Sequence, residues 1–157
     1  MIRELSIYAL RALSPEERIS YGYRVLVMRR WSRGISWREI DAWLPEAGPT
    51  LQLLQTWQQA GISWHDFECV YLFEQELLSS CTLRLPHAAR QEYQGCATDL
   101  LLDLEQRHGV VTLLCHEAEG PCHRFTLKER LEHLQRTLIP QEGEDAKYSE
   151  DGGLERA

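Results

Sequence analysis

The sequence predicts an α/β domain, a small and mostly parallel sheet flanked by helices. Three observations predict it. Tyr23-Arg24-Val25-Leu26-Val27-Met28 is a short β-branched and aliphatic run. Val110-Val111-Thr112-Leu113-Leu114 lacks alternation, the pattern of a strand covered on both faces. Around them, apolar residues recur at helical spacing behind residues that cap helices. A buried strand, a polar loop and a helix at the end suggest a parallel element.

The elements follow in order. Ile2–Leu10 reads as a first strand with partial alternation, and residues 14–22, with Pro15, a charge run and Gly22, read as a loop. The strand at Tyr23–Met28 runs into an arginine-rich loop, 29–36. Ser36 and Glu39 stand at capping-box spacing, which predicts a helix from there to about Leu44. Pro45 and Gly48-Pro49 end it. Thr50 caps a helix that Gly61 closes. Ser63 and Asp66 open a longer one over 64–80, with Phe67, Val70, Tyr71, Phe73, Leu77 and Leu78 as its apolar stripe. Leu85-Pro86 separates it from a third helix that ends at Arg107-His108-Gly109, where the basic pair suits the negative helix end. The second strand, 110–114, a polar loop and a last helix from about Phe125 to Leu138 complete the chain.

The 157 residues make one domain, and 43% apolar residues are enough for a core. No apolar run is long enough for a membrane span, and the first 18 residues carry acids and arginines inside their apolar stretch. The cytoplasm is the expected location, and no membrane partner is expected. The net charge is −7, of which residues 141–157, with six acids and two bases, supply −4. That segment has almost no aliphatic content, so residues 1–140 are expected to form the domain and 141–157 a disordered acidic tail.

The five cysteines, at 69, 81, 96, 115 and 122, are odd in number and irregular in spacing, as expected of reduced thiols. Cys69, Cys81 and Cys96 sit in helical patterns and read as small core residues.

Two segments can carry chemistry. From Tyr23 to Arg38 there are five arginines and no acid. Arginine forks suit phosphate and carboxylate, and Trp31 can stack on a ring. The stretch is too short, in too acidic a chain, to make a broad nucleic-acid surface. The second segment is Cys115-His116-Glu117-Ala118-Glu119-Gly120-Pro121-Cys122-His123-Arg124. Three jobs are open to it: a thiol activated by a helix end and Arg124, a zinc site, or a purely structural turn. Adjacent Cys-His pairs chelate poorly where neighbours on a strand point to opposite faces, and the spacing matches no common zinc module. Both segments directly follow predicted strands, and ligands of open α/β sheets sit outside the strands' carboxyl ends.

At the same two segments the chain resembles the domain of unknown function 488 family. YRVLVMRRWSRGIS is similar to the YeaO-like branch through Tyr23, Arg24, Val25, Leu26, Val27, Arg29, Trp31, Arg33 and Gly34. Trp43-Leu44-Pro45-Glu46 and Pro49-Thr50 extend the likeness. VVTLLCHEAEGPCHR is similar to the other branch's C-x-E…C-H-R element through Cys115, Glu117, Cys122, His123 and Arg124. Met28 stands where the family pattern has an aspartate, and Ser32 where it has a proline. The resemblance implies a compact α/β fold and no particular reaction.

These observations lead to one expected site for a phosphorylated or anionic small molecule, such as a nucleotide. Arg29 and Arg33 would clamp the anion, Trp31 would pack on its apolar part, and Arg124 with amides at the last helix's start would complete the site. Cys115 is the expected nucleophile and Glu117 the acid or base, with Cys122 and His123 lining the site. No metal or cofactor is assigned. The other class of function is an interaction module that uses exposed tryptophans as anchors. Whether the chain is an enzyme is left open.

Overall fold

The computed structural model describes residues 1–139. The tail expected at 141–157 lies outside them. Four strands form one parallel sheet: β1 (Ile2–Ser6), β2 (Tyr23–Leu26), β3 (Ala42–Trp43) and β6 (Val111–Cys115), in the order β1-β6-β2-β3. The helices are α1 (Ile7–Ala12), α2 (Pro15–Ile19), α3 (Leu51–Ala60), α4 (Trp64–Leu77), α5 (Ala97–His108) and α6 (His123–Leu138). A separate antiparallel hairpin joins β4 (Ser80–Leu83) to β5 (Gln91–Gln94). Among the described residues, no helix is long and apolar enough to cross a membrane.

The unbroken burial of Val111–Cys115 follows from its central place between β1 and β2. Alternation along the strands sorts the two faces. Val25, Val27, Val111 and Leu113 join the larger core with Phe67, Tyr71, Leu101, Leu127 and Leu131. Leu26 and Leu114 join the smaller core with Ile7, Leu10, Ile35 and Ile40. Cys115 has the parity of Leu113, so its side chain leaves the sheet on the face that α6 covers.

Gly22 sets the pairing of the central strands. It has φ +59°, and a Cβ there would lie 2.4 Å from the Val110 carbonyl oxygen, so only glycine permits this approach.

Several expectations change. The first strand stops at Ser6, whose hydroxyl accepts from the Ala9 amide and starts α1. Residues 14–22 contain α2, opened by a full Ser14–Glu17 capping box with Pro15 in the first turn. No helix forms over 36–44. The Ser36 amide donates to Glu39 Oε2, and Asp41 and Leu44 donate backbone hydrogen bonds to Arg24 and Leu26, which draws Ala42–Trp43 into the sheet. Capping residues at 36 and 39 close a turn here, because pairing with β2 outcompetes helix propagation. The β4–β5 hairpin was not expected. Helix α4 ends at Leu77, and of its stripe only Phe67 and Tyr71 are fully buried, while Val70, Phe73 and Leu77 are exposed. Cys69 is exposed, not core, while Cys81 is buried.

Candidate active site at the carboxyl edge of the sheet

Strands β2 and β6 run parallel and adjacent, so the segments that follow them leave the same end of the sheet. A hydrogen bond ties the second segment to the end of the β2 run: His123 Nε2 lies 2.7 Å from the carbonyl oxygen of Val27, two residues ahead of the first segment. A carbonyl only accepts, so Nε2 carries the proton, and a neutral ring then keeps its Nδ1 lone pair. That nitrogen faces Cys122 Sγ at 3.9 Å.

Cys122 is the N-cap residue of α6. The loop 116–121 brings it back beside Cys115, at the end of β6. Glu117 joins them, its Oε2 2.5 Å from Cys115 Sγ and 3.5 Å from Cys122 Sγ. Both cysteines are free thiols and buried. Their sulfurs and one His123 ring nitrogen all lie within 4.8 Å of one another, the donor spacing of a metal-binding group.

The two thiols differ in acidity. Cys115 beside it is the largest influence holding Cys122 down to about 5, against the cost of burial, and His123 and the Arg124 amide add to the shift. The same contact, with burial next, pushes Cys115 far up. The shifts run in opposite directions, so Cys122 is the thiol of the pair that ionises first. Glu117 is held below the usual carboxylate range: burial opposes this, and the hydrogen bond from Cys115 leads the influences that lower it.

The sequence-predicted residues divide into two groups. Cys115, Glu117, Cys122 and His123 lie together. Both sulfurs are buried, and Cys115 donates its proton to the Glu117 carboxylate. Arg29 is turned toward the fold. Its Nη2 donates to the Gly48 carbonyl at 2.8 Å and its Nε to Pro49 at 3.1 Å. A Cβ on Gly48 would lie 2.4 Å from the Arg29 nitrogen, so glycine is what lets the two segments meet. Arg124 likewise turns inward. It is buried, with Nε 2.7 Å from Glu4 Oε2 and Nη1 2.6 Å from the Glu117 carbonyl. Arg33 is exposed at the tip of the loop.

Trp31 is part of a core cluster. Its ring packs on Trp37 and Trp43 with centroids 4.7 and 5.4 Å apart, and its indole N–H donates to the Ile35 carbonyl. Trp57 and Trp64 pack on Phe67 in the larger core. All five tryptophans are part-buried, so the exposed tryptophan patch that an interaction module would use is not formed.

Two contributors escaped the sequence reading. Tyr71, fully buried, sets its ring edge-on to His123 at 5.6 Å and donates its hydroxyl proton to the Ala47 carbonyl. Helical spacing had marked it only as a core residue. The Val27 carbonyl fixes the His123 tautomer, and no side-chain pattern signals a backbone acceptor.

The family model of the active DUF488-N3 subclade matches residues 7–135. No curated protein and no solved structure matches the chain. The match identifies the family and not the YeaO-like branch. It spans both the Tyr23–Gly34 segment and the Cys115–Arg124 loop, and the chain belongs to the domain of unknown function 488 family.

Proposed function

We propose that the chain binds a small phosphorylated or otherwise anionic molecule, a nucleotide being one example, between segments 29–36 and 116–124. The observation that carries this reading is the topology. Two polar loops leave the carboxyl ends of adjacent parallel strands, and the His123–Val27 hydrogen bond ties the start of α6 to the chain just ahead of the first loop. Arg29 and Arg124 shape the two loops through carbonyl and carboxylate contacts. Arg30 and Arg33 are exposed, and neither has a side-chain hydrogen bond among the described residues, so they are the groups that meet the anion. From Tyr23 to Arg38 five arginines stand without an acid in a chain of net charge −7, so this segment is locally positive.

Calorimetric titration with inorganic phosphate, pyrophosphate and a nucleoside monophosphate tests the reading. Each exposed arginine contact is worth up to about 1 kcal/mol, or about fivefold in affinity. Arg30→Ala and Arg33→Ala should each weaken binding by that factor, and added salt should weaken it further. Affinity that ignores both substitutions and the salt concentration would contradict the proposal.

A further inference from the structure

The converging side chains at the floor of the edge are also a complete set of soft-metal donors. We propose that Cys115 Sγ, Cys122 Sγ and His123 Nδ1 bind a zinc-class divalent cation, with Glu117 at or beside the fourth position.

Several features point to a built site. The three donors lie within 4.8 Å of one another and all three residues are buried. A tetrahedral ion with sulfur at about 2.3 Å and nitrogen at about 2.0 Å sets donors about 3.5–3.8 Å apart. Cys122 Sγ is 3.9 Å from His123 Nδ1 and 3.5 Å from Glu117 Oε2, close to that spacing, while Glu117 Oε2, 2.5 Å from Cys115 Sγ, must draw back by about 1 Å to ligate. The His123 ring is oriented as a ligand ring should be. Its Nε2–H is spent on the Val27 carbonyl at 2.7 Å, which leaves Nδ1 aimed at the sulfurs. The objection that strand neighbours point apart does not apply: only Cys115 is on a strand, and Cys122 with His123 opens a helix. Two thiolates and an imidazole select zinc over magnesium or calcium, which take oxygen ligands.

Binding requires Cys115 to give up the proton it now donates to Glu117, so the ion displaces a proton and leaves Glu117 free to ligate or to swing out. In the second case the fourth position is left for another ligand, which on the reading above would be the anion. The metal site itself stands apart from the anion-binding reading; only the use of that open position rests on it. On this view the four residues form a metal centre and not a nucleophile with its acid–base partner.

The test uses the full chain, reduced and stripped with a chelator, and titrated with cobalt(II) and with zinc(II) in competition with a chromophoric chelator. No anionic ligand is added, so a failure of anion binding leaves the result untouched. The expected result is one ion per chain, with the thiolate charge-transfer and intense visible bands of tetrahedral cobalt. Cys115→Ser and Cys122→Ser should each weaken binding by about 100-fold or more, beyond the 10–100-fold typical of outer contacts. Cys69→Ser, at an exposed site outside the group, should leave it unchanged. If the serine variants fail to fold, X-ray absorption on the zinc-loaded natural chain decides, with two sulfur ligands expected. Absence of the thiolate bands, or a zinc shell without sulfur, would overturn the proposal. So would equal affinity in folded Cys122→Ser.

Discussion

Arg124→Ala is expected to lower the melting temperature by roughly 6–12 °C. The Arg124 side chain is 4% exposed, and it joins two elements far apart in sequence, with Nε on Glu4 of β1 and Nη1 on the Glu117 carbonyl. Its guanidinium also covers the Phe125 ring at 4.4 Å. Alanine removes all three contacts and leaves the Glu4 carboxylate, 27% exposed, without its partner. Breaking a buried pair costs about 3–5 kcal/mol. The partial exposure of Glu4 puts the loss near about 3 kcal/mol, since water recovers some of the charge. For a domain of this size about 1 kcal/mol moves the midpoint by about 2–4 °C. Differential scanning calorimetry on both proteins reads the shift. A change of about 2 °C or less would mean that the pair behaves as an ordinary surface ion pair.

The second large effect is a pH profile. In the reduced, metal-stripped chain, alkylation of Cys122 should rise through about pH 5 and be nearly flat from pH 6 upward, because the reactive form is the thiolate and Cys122 is held to about 5. A small thiol standard of pKa about 8.5 in the same tube gains roughly 75-fold in thiolate between pH 6 and pH 8. The ratio of Cys122 to standard should therefore fall by that factor over the interval. This comparison cancels the slower access to a buried sulfur and the lower intrinsic reactivity of an acidic thiol. Cys115, pushed up by its contact with Cys122 and by burial, and Cys81, pushed up to about 12 chiefly by burial, should stay unlabelled. Mass spectrometry of the digested protein reads each site. A Cys122 rate that climbs in parallel with the standard would show that the negative charge does not reside there.

Much of the sheet was legible because its strands are strongly determined. Val111–Leu114 is buried whichever way a side chain points, and its aliphatic run is broken only by Thr112, as a central strand requires. Thr50 and Ser63 each accept the third helical amide in the way their positions predicted, and Gly61 closes α3 at φ +61°. Weak elements were not legible. Ala42–Trp43 pairs over only two residues, and its strand character comes from β2 beside it and from the backbone bridge to Arg84. Gln91–Gln94 is polar and mostly exposed, so no hydrophobic period marks it.

The site was half legible for a related reason. The spacing of Cys115, Glu117, Cys122 and His123 is a local property, set by one strand end, one loop and one helix start. The partners of Arg29 and Arg124 are not local. The acceptors of Arg29, both backbone carbonyls, lie about 20 positions away, and the carboxylate partner of Arg124 lies 120 away. The sequence shows that an arginine has five donors, but not whether they face the ligand or the fold. The choice between the two thiols depends on which sulfur meets a carboxylate and which an imidazole, and that is a matter of a few ångströms.

The claim that the two loops form one anion site is tested most directly by amide NMR of the full chain titrated with pyrophosphate. Shift changes should be confined to Met28–Ser36 and His116–Arg124 and should saturate together with one dissociation constant. The groove between α4 and α6, lined by His65, Glu68, Thr126 and His133, should stay silent. Changes centred on that groove, or two loops that titrate with different constants, would contradict a single shared site.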